Sequence, residues 1–485
     1  MRLGDLIDAV PATHGDVWIE RVVADSRLAG PGALFVARKG TAVDGHSFVG
    51  DAVRAGCAAV VGGGELDHLR VPYVRVDDPV RAVGELAARI NGDPSRGLTV
   101  VGVTGTNGKT TVATLLYRLF TALGRPSGLI ATTGIRVGGS RRPNAHTTPD
   151  PVELQRLLAT MVAAGCGYCF MEVTSHGIDQ QRIAGIHFDG GIFTSLDRDH
   201  LDYHGTIAAY AAVKQRFLGS LPASAFALAN ADDRRGRFMV ATTAARVAFY
   251  GRGAEALLPW SLDRLDEHGS VVRIAGRRVR TMLLGEHNAG NLAAVVTAAT
   301  LLGEDLERVL RVVPRLTGPR GRMERVAAGP VLALVDYAHT PESLGRVLAD
   351  ARQMRPGGKL LVVGGCGGDR DTGKRAAMGA ALATADVAIF TADNPRSEDP
   401  HAIVGSMLGG VDPGGLRRVR VELDRRRAIH EAVRLAEPGD VVLLAGKGHE
   451  RSQEIAGTKH AWDDAAELRR ALGRERSRVG GVSSS

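Results

Sequence analysis

The chain has 485 residues, 44% hydrophobic and 24% charged, with a formal net charge of +8. That length predicts about three domains, each with its own core, and the ordinary apolar and charged fractions exclude global disorder and collagen-like repetition. The basic surplus alone would fit a polyanion partner, but only seven of the 61 basic residues are lysines, which reads as an arginine-preferring composition.

No run reaches the roughly 18 apolar residues of a membrane span, and Met1-Arg2-Leu3-Gly4-Asp5 lacks the apolar core of a signal peptide. A cytoplasmic, reduced protein is expected, with no membrane span and no nucleic-acid role. Residues 1–97 read as a small α/β domain, with Ala33–Ala37 and Ala58–Val61 as short apolar strands and Asn91–Ser95 as a linker. Residues 98–324 read as a second domain, opening on the continuous apolar run Leu98–Val103 of a buried parallel strand. A Gly-rich turn and a helix from about Thr110 to Leu123 follow, and strand and helix patterns alternate up to a helix at Asn291–Leu302. Leu316–Gly321 marks a second boundary. Residues 325–485 restart the alternation with strands at Val331–Asp336, Lys359–Gly364, Val387–Phe390 and Val441–Ala445, the pattern of a doubly wound domain with its functional loops at the strands' carboxyl ends. The Arg, Gly and Ser-rich tail from about Gly473 is expected to fray.

Several motifs carry chemistry. Gly105-Thr106-Asn107-Gly108-Lys109-Thr110-Thr111 lies between strand and helix, where glycines expose backbone N–H groups and the helix end adds positive charge for phosphates. Lys109 would reach the β/γ-phosphates and the hydroxyl of Thr110 or Thr111 would ligate Mg²⁺. The usual Gly-x-x-x-x-Gly-Lys spacing would need glycine where Val103 stands, so this is a compressed form. Glu172 closes an apolar strand, well placed for Mg²⁺. Asp197–Gly205 packs three aspartates and two histidines into nine residues, and Lys214 follows in an amphipathic helical stretch. Cys166-Gly167-Tyr168-Cys169 has no second pair to complete a zinc site, so a buried strand is expected there.

With these motifs in place the sequence resembles the Mur ligases, ATP-dependent amide-bond ligases of peptidoglycan precursor synthesis. The resemblance covers nearly the whole chain. Besides the phosphate loop it rests on Asp25-Ser26-Arg27, Thr147-Thr148-Pro149, Glu172-Val173-Thr174-Ser175-His176, Asp199–Gly205, Gly285-Glu286-His287-Asn288 and Gly321-Arg322-Met323-Glu324. In the last third it rests on Asp336–Pro341, Gly367–Asp371, Asp393-Asn394-Pro395-Arg396 and Gly446-Lys447-Gly448-His449-Glu450.

The resemblance implies a three-domain α/β fold: a UDP-binding N-terminal domain, a central phosphate-loop ATPase sheet and a Rossmann-like C-terminal domain holding the amino acid. It implies addition of diaminopimelate to UDP-N-acetylmuramoyl-L-alanyl-D-glutamate, with ATP and two Mg²⁺ ions, in a monomer. By the same likeness Lys214 would carry a CO₂-derived carbamate and hold metal with Thr110, Glu172 and His200; arginine forms no stable carbamate. Ser26 would face UDP, while Thr147, Thr148, Ser175 and Arg182 would lie along the muramoyl-dipeptide path. Asn291, Arg322, Asp336 and His339 would serve ATP. Arg370, Asp393, Asn394, Arg396, Gly446 and Glu450 would bind diaminopimelate, Arg396 pairing with a carboxylate and Glu450 meeting an ammonium.

Four places depart from the family pattern. Thr174 stands for serine, Ser195 for asparagine, Arg451-Ser452-Gln453 for Asp-Tyr-Gln, and Trp462-Asp463-Asp464-Ala465 lacks the arginine often seen after the aspartate. The last two lie near the amino-acid end, so the alternative is a related ligase using another amino acid or acceptor.

Overall fold

Three stretches of the chain each build a largely parallel sheet in the computed structural model, which describes residues 1–8, 10, 13–40, 43–66 and 69–481. The first sheet runs in chain order through Arg21–Val23, Ala33–Val36, Ala59–Gly62 and Tyr73–Arg75, every pair parallel. Helix Pro79–Ile90 covers it, starting where Asp78 accepts a hydrogen bond from the Arg81 N–H and Pro79 takes the first turn. Its Val83, Leu86 and Ala87 pack on Leu34, Val36 and Val61.

The second sheet has eight strands, ordered Arg246–Tyr250, Phe226–Asn230, Gly190–Phe193, Thr99–Thr104, Tyr168–Glu172, Ser127–Ala131, Gly134–Val137 and Ser140–Arg142. The first six are parallel and the last two turn back as an antiparallel hairpin. Thr99–Thr104 has the buried Val100, Val101 and Val103, as a strand covered on both faces requires. On one face Leu115, Leu116 and Leu119 of helix Lys109–Ala122 meet Leu292 and Val296 of helix Glu286–Leu301. The other face holds Leu157, Met161 and Phe217. Truncating such a side chain to alanine costs about 2–5 kcal/mol.

A three-stranded antiparallel sheet, Trp260–Asp266, Gly269–Ile274 and Arg277–Thr281, follows. The third large sheet is ordered Glu324–Ala328, Leu332–Val335, Val441–Leu444, Leu360–Gly364, Val387–Phe390 and Val419–Val421, antiparallel only at its first pair. Helices Arg425–Leu435 and Asp464–Gly481 meet through Arg425 and Asp464, an ion pair at 2.6 Å with both side chains fully buried. Breaking one partner of such a pair strands a buried charge.

Two local expectations change. The second long helix starts at Glu286, five residues before Asn291: Gly285 at φ +92° stands just before its first turn, and Asp350 accepts the Glu286 N–H. The tail expected to fray continues the last helix to Gly481, and residues 482–485 lie outside the described chain. Cys169 is buried in its strand, and all four cysteines are free and buried. Among the described residues, no helix is long and apolar enough to cross a membrane.

Candidate active site

The central sheet delivers its functional groups from the carboxyl ends of adjacent strands, where the strand order reverses around Thr99–Thr104. Gly105 leaves that strand at φ +147° and Gly108 enters the helix at φ +88°. A side chain on Gly108 would meet Asn291 Oδ1 at 2.6 Å, so the loop needs glycine for space as well as backbone freedom. Lys109 Nζ donates to the Gly105 and Thr106 carbonyls at 2.8 Å each, lying over its own loop. Burial pushes its amine below the usual lysine range, against the pull of Glu172 and Asp199.

Glu172 is buried, and its Oε1 accepts from the Thr132 N–H at 2.8 Å and from the Thr132 hydroxyl at 3.0 Å. Lys214 is also buried, donating to the Gly105 carbonyl at 2.9 Å and lying 4.4 Å from the Tyr210 ring centre. Burial first, then the Lys109 charge, push the Lys214 amine well below its usual range. Tyr210 Oη in turn lies 3.2 Å from Thr106 Oγ1, locking this helix onto the loop. His200 takes a left-handed turn at φ +54° and sits 3.6 Å from Asp199 Oδ2. Burial pushes its imidazole down to about 4 despite that carboxylate, so it is neutral and has a free lone pair at neutral pH. Burial would raise Asp199, but the hydrogen bond and charge of His339 hold it well below the usual carboxylate range.

Three cavities collect most of the remaining predicted site residues. Toward the N-terminal sheet, Asp25, Ser26, Arg27, Asp150 and Arg156 line a cavity of about 820 Å³. Thus Ser26 is well separated from the phosphate loop in its lining. A cleft of about 620 Å³ is lined by Asn107, Gly108, Trp260, His287, Asn291 and Arg346. Beside it is a small pocket of about 60 Å³ lined by Thr110, Thr111, Arg322 and Asp336. There Arg322 donates to Thr110 Oγ1 at 3.3 Å and stacks over Tyr337 at 4.3 Å, with its Nε buried and without a hydrogen-bond partner. Asp336 spends both carboxylate oxygens on backbone, accepting from the Met323 and Ala338 N–H groups at 2.7 Å each. His339 lines neither that cleft nor the small pocket; its Nε2 is 3.6 Å from Asp199 Oδ2 and it borders the third cavity instead.

That third cavity, about 530 Å³, joins the two larger bodies. Thr147, Thr148, Arg182 and His200 line it from the central sheet, and Arg370, Asp393, Asn394, Arg396, Gly446 and Glu450 from the C-terminal one. Arg182 Nη1 donates to the Thr148 carbonyl at 2.9 Å, and the Thr148 hydroxyl donates to the Glu172 carbonyl at 3.0 Å. Ser175 is buried at the start of helix Ser175–Asp179, which Thr174 caps by accepting the Gly177 N–H at 3.1 Å. Arg396 takes φ +53° and donates to the Gly368 carbonyl. Gly446 at φ +106° has no room for a side chain, since a Cβ would stand 2.5 Å from Asp393 Oδ2.

Sequence reasoning placed Lys447 within a C-terminal family motif without naming it a site residue. It is fully buried and donates to Asn394 Oδ1 and Glu450 Oε2 at 2.9 Å each, while Asn394 Nδ2 donates to Glu450 Oε2 at 2.8 Å. Burial raises Asp393 against that lysine charge, 3.8 Å away. The scarcity of lysine was the available signal. Asp197 and Arg346 were also missed as a pair: Arg346 forks onto Asp197 at 3.0 and 3.2 Å, and Asp197 accepts from Asn107 Nδ2 at 2.9 Å. Such a pairing across about 150 residues of sequence leaves no local signal. Ser195, standing for asparagine, still supplies a polar contact, accepting the Asn107 N–H at 3.1 Å.

Among the described residues no group of three or more His, Cys, Asp or Glu side chains is arranged to hold a metal alone. A site with few protein oxygens and several phosphate or water ligands is the habit of Mg²⁺.

Comparison with known proteins agrees with this geometry. Residues 103–299 match the family profile described as the Mur ligase middle domain, residues 321–448 the Mur ligase glutamate ligase domain, and residues 19–90 the Mur ligase family catalytic domain. The chain is 45% identical over 489 residues to the UDP-N-acetylmuramoyl-L-alanyl-D-glutamate–2,6-diaminopimelate ligase of Parabacteroides distasonis, covering 98% of this chain and 100% of that one. It is 43% identical to the protein of the same name from Chromobacterium violaceum, covering 94% of each. A solved structure bearing that name matches with a TM-score of 0.72 at 33% identity, over 98% of this chain and 99% of the other.

Proposed function

The chain belongs to the Mur ligase family, and from that premise we propose that it joins diaminopimelate to UDP-N-acetylmuramoyl-L-alanyl-D-glutamate in peptidoglycan precursor synthesis. It is an ATP-dependent ligase. The observation that carries the substrate reading is the shared 530 Å³ cavity, with Thr147, Thr148 and Arg182 on one wall and Arg370, Asn394, Arg396 and Glu450 on the other. Hydroxyls and a guanidinium suit the anionic muramoyl dipeptide. Arg396 suits a carboxylate of the incoming diacid, and Glu450, held by Lys447 and Asn394, suits its distal ammonium.

The γ-carboxylate oxygen of the D-glutamyl residue attacks the γ-phosphorus of ATP, and ADP leaves. The diaminopimelate amine then attacks the acyl phosphate carbon, phosphate leaves and the amine loses its proton, giving an amide. Lys109 neutralises charge on the transferring phosphoryl group, which requires it to swing off the Gly105 and Thr106 carbonyls. Closure between the central and C-terminal sheets aligns the amine and excludes water.

Thr110 or Thr111, Glu172 and His200 offer hard oxygen and neutral imidazole donors, a set that fits Mg²⁺ with phosphates completing the shell. Bound Mg²⁺ would supply charge neutralisation of the phosphoryl oxygens. Burial and the Lys109 charge shift Lys214 toward the neutral amine that carbamate formation needs; that amine adds to CO₂ with loss of one proton and becomes an anionic oxygen ligand. Ser26 lies in the cavity suited to UDP. We assign residues 1–97 to UDP, 98–324 to ATP and 325–485 to the amino acid, with strand Glu324–Ala328 drawing the last boundary back by a residue or more. A cytoplasmic monomer completes the reading.

The test supplies the UDP-muramoyl-dipeptide and ATP with each diaminopimelate isomer, lysine or ornithine, and measures phosphate release together with product mass. Diaminopimelate alone should support coupled phosphate release and tripeptide formation. A preference for lysine would refute the assignment of Arg396.

A further inference from the structure

One cleft of about 580 Å³ shares no lining residue with either nucleotide-side cleft and meets the substrate cavity only at Glu450. It lies among the phosphate-loop helix Lys109–Ala122, the edge hairpin Gly134–Val137 and Ser140–Arg142, and the segments around Pro319 and Arg451. Its walls carry six arginines: 118, 136, 141, 142, 320 and 451. Arg320 and Arg451 share the Asp463 carboxylate. Among the described residues the other four have no carboxylate partner. Arg118 donates to Thr317 and to the Gly318 carbonyl, and Arg141 to the Thr133 carbonyl at 3.3 Å, neither of which neutralises charge. Arg136 stands directly opposite Arg141 in the hairpin register. Like charges facing each other across antiparallel strands repel, and Arg118 is half-buried, with burial and the Arg136 charge both lowering its hold on its proton. The acid in these walls, Glu450, already has its Oε2 occupied by Lys447 and Asn394. Thr114 Oγ1 and His449 Nδ1, on residues of the same lining, are buried without partners.

A composition rich in arginine explains many exposed arginines. It does not explain four of them gathered in one concave site with no acid paired to any of them. We propose that this cleft is a second anion site that takes a phosphate-bearing small molecule, either free phosphate or a phosphoanhydride. Several guanidiniums ask for a ligand with several charges and many acceptor oxygens, and each fork matches a phosphate bidentately where a carboxylate would offer one charge. The site is coupled to the reaction centre through its own wall. Thr132, which holds the Glu172 carboxylate, lines the cleft two residues before the hairpin begins, so an anion drawing Arg136 and Arg141 together braces that support.

The test uses the full chain with its nucleotide cleft saturated by a non-hydrolysable ATP analogue and Mg²⁺. Inorganic phosphate and pyrophosphate are titrated separately by calorimetry. One further saturable site is expected for at least one of them: phosphate binding identifies the free ion, and binding of pyrophosphate alone identifies a phosphoanhydride. Replacing Arg136→Ala together with Arg142→Ala should weaken it about tenfold or more while the affinity for the ATP analogue is unchanged. If that variant fails to fold, Arg141→Ala with Arg142→Ala, both exposed, serves instead. Absence of a second saturable site for both probes, or binding indifferent to these substitutions, would overturn the proposal.

Discussion

In the proposed mechanism Lys214 concentrates the chemistry of this site in a single side chain. It is fully buried, it faces no carboxylate among its hydrogen-bond partners, and its amine is stripped of basicity by burial and by Lys109. On the proposed reading, carbamate formation would turn this poorly basic amine into an anion beside the Lys109 cation. Lys214→Ala should therefore lower kcat/KM by about 100-fold or more, as loss of a metal-supporting group does, and formate or acetate should restore part of it. Unchanged activity would remove the carbamate from the mechanism. At this scale the sequence was informative wherever a residue type was rare. Lys109 and Lys214 stood out in a lysine-poor chain, and Lys447 was visible by the same rule, although its partner Asn394, 53 residues away, was not. His339 illustrates the limit: its motif was legible, but only the fold shows that it lies against Asp199 and borders the 530 Å³ cavity.

The phosphate loop is the element whose sequence and geometry agree most closely, since strand, glycines and helix start are all local. Gly108→Ala puts a methyl group at φ +88° and 2.6 Å from Asn291 Oδ1. Gly124→Ala, at φ +77° with open space around it, carries the same backbone strain alone. Both should lose about 1–3 kcal/mol of stability, read from denaturant midpoints, but only Gly108→Ala should raise the apparent KM for ATP. Equal KM values for the two variants would show that the loop's close approach to Asn291 is not needed for nucleotide binding. Elements with strong hydrophobic runs were legible to within a residue or two, as Val387–Phe390 was. The three-stranded sheet at 260–281 was not singled out, because short antiparallel strands with arginines on their outer face carry no continuous apolar run.

Across the whole molecule, helix Pro341–Met354 ties the C-terminal sheet to the central one through two side chains one turn apart. Arg346 forks onto Asp197, and Asp350 Oδ2 lies 2.7 Å from His287 Nδ1. Burial would lower His287, but the hydrogen bond and charge of Asp350 outweigh it and raise the imidazole above its ordinary value. A raised folded-state value means that the pair's contribution is complete below the unfolded value of about 6.5 and is lost as the pH rises through the folded value above it. Asp350→Asn should accordingly lower the thermal midpoint most on the acid side of neutrality, and the deficit should shrink toward alkaline pH. A deficit that grows with pH would mean that His287 is neutral in the folded protein. The three-part architecture was legible because its motifs recur in order along a known family pattern, whereas the contacts that close the parts onto each other span long sequence distances and had to be seen in the fold.

The ligation itself is tested most directly by isotope transfer. The UDP-muramoyl-dipeptide carrying ¹⁸O in its glutamyl γ-carboxylate is turned over with ATP and diaminopimelate, and the inorganic phosphate and peptide product are analysed by mass spectrometry. One ¹⁸O should appear in inorganic phosphate for every tripeptide formed, with ADP as the nucleotide product. Label in AMP, or unlabelled phosphate accompanying tripeptide formation, would contradict the acyl-phosphate route.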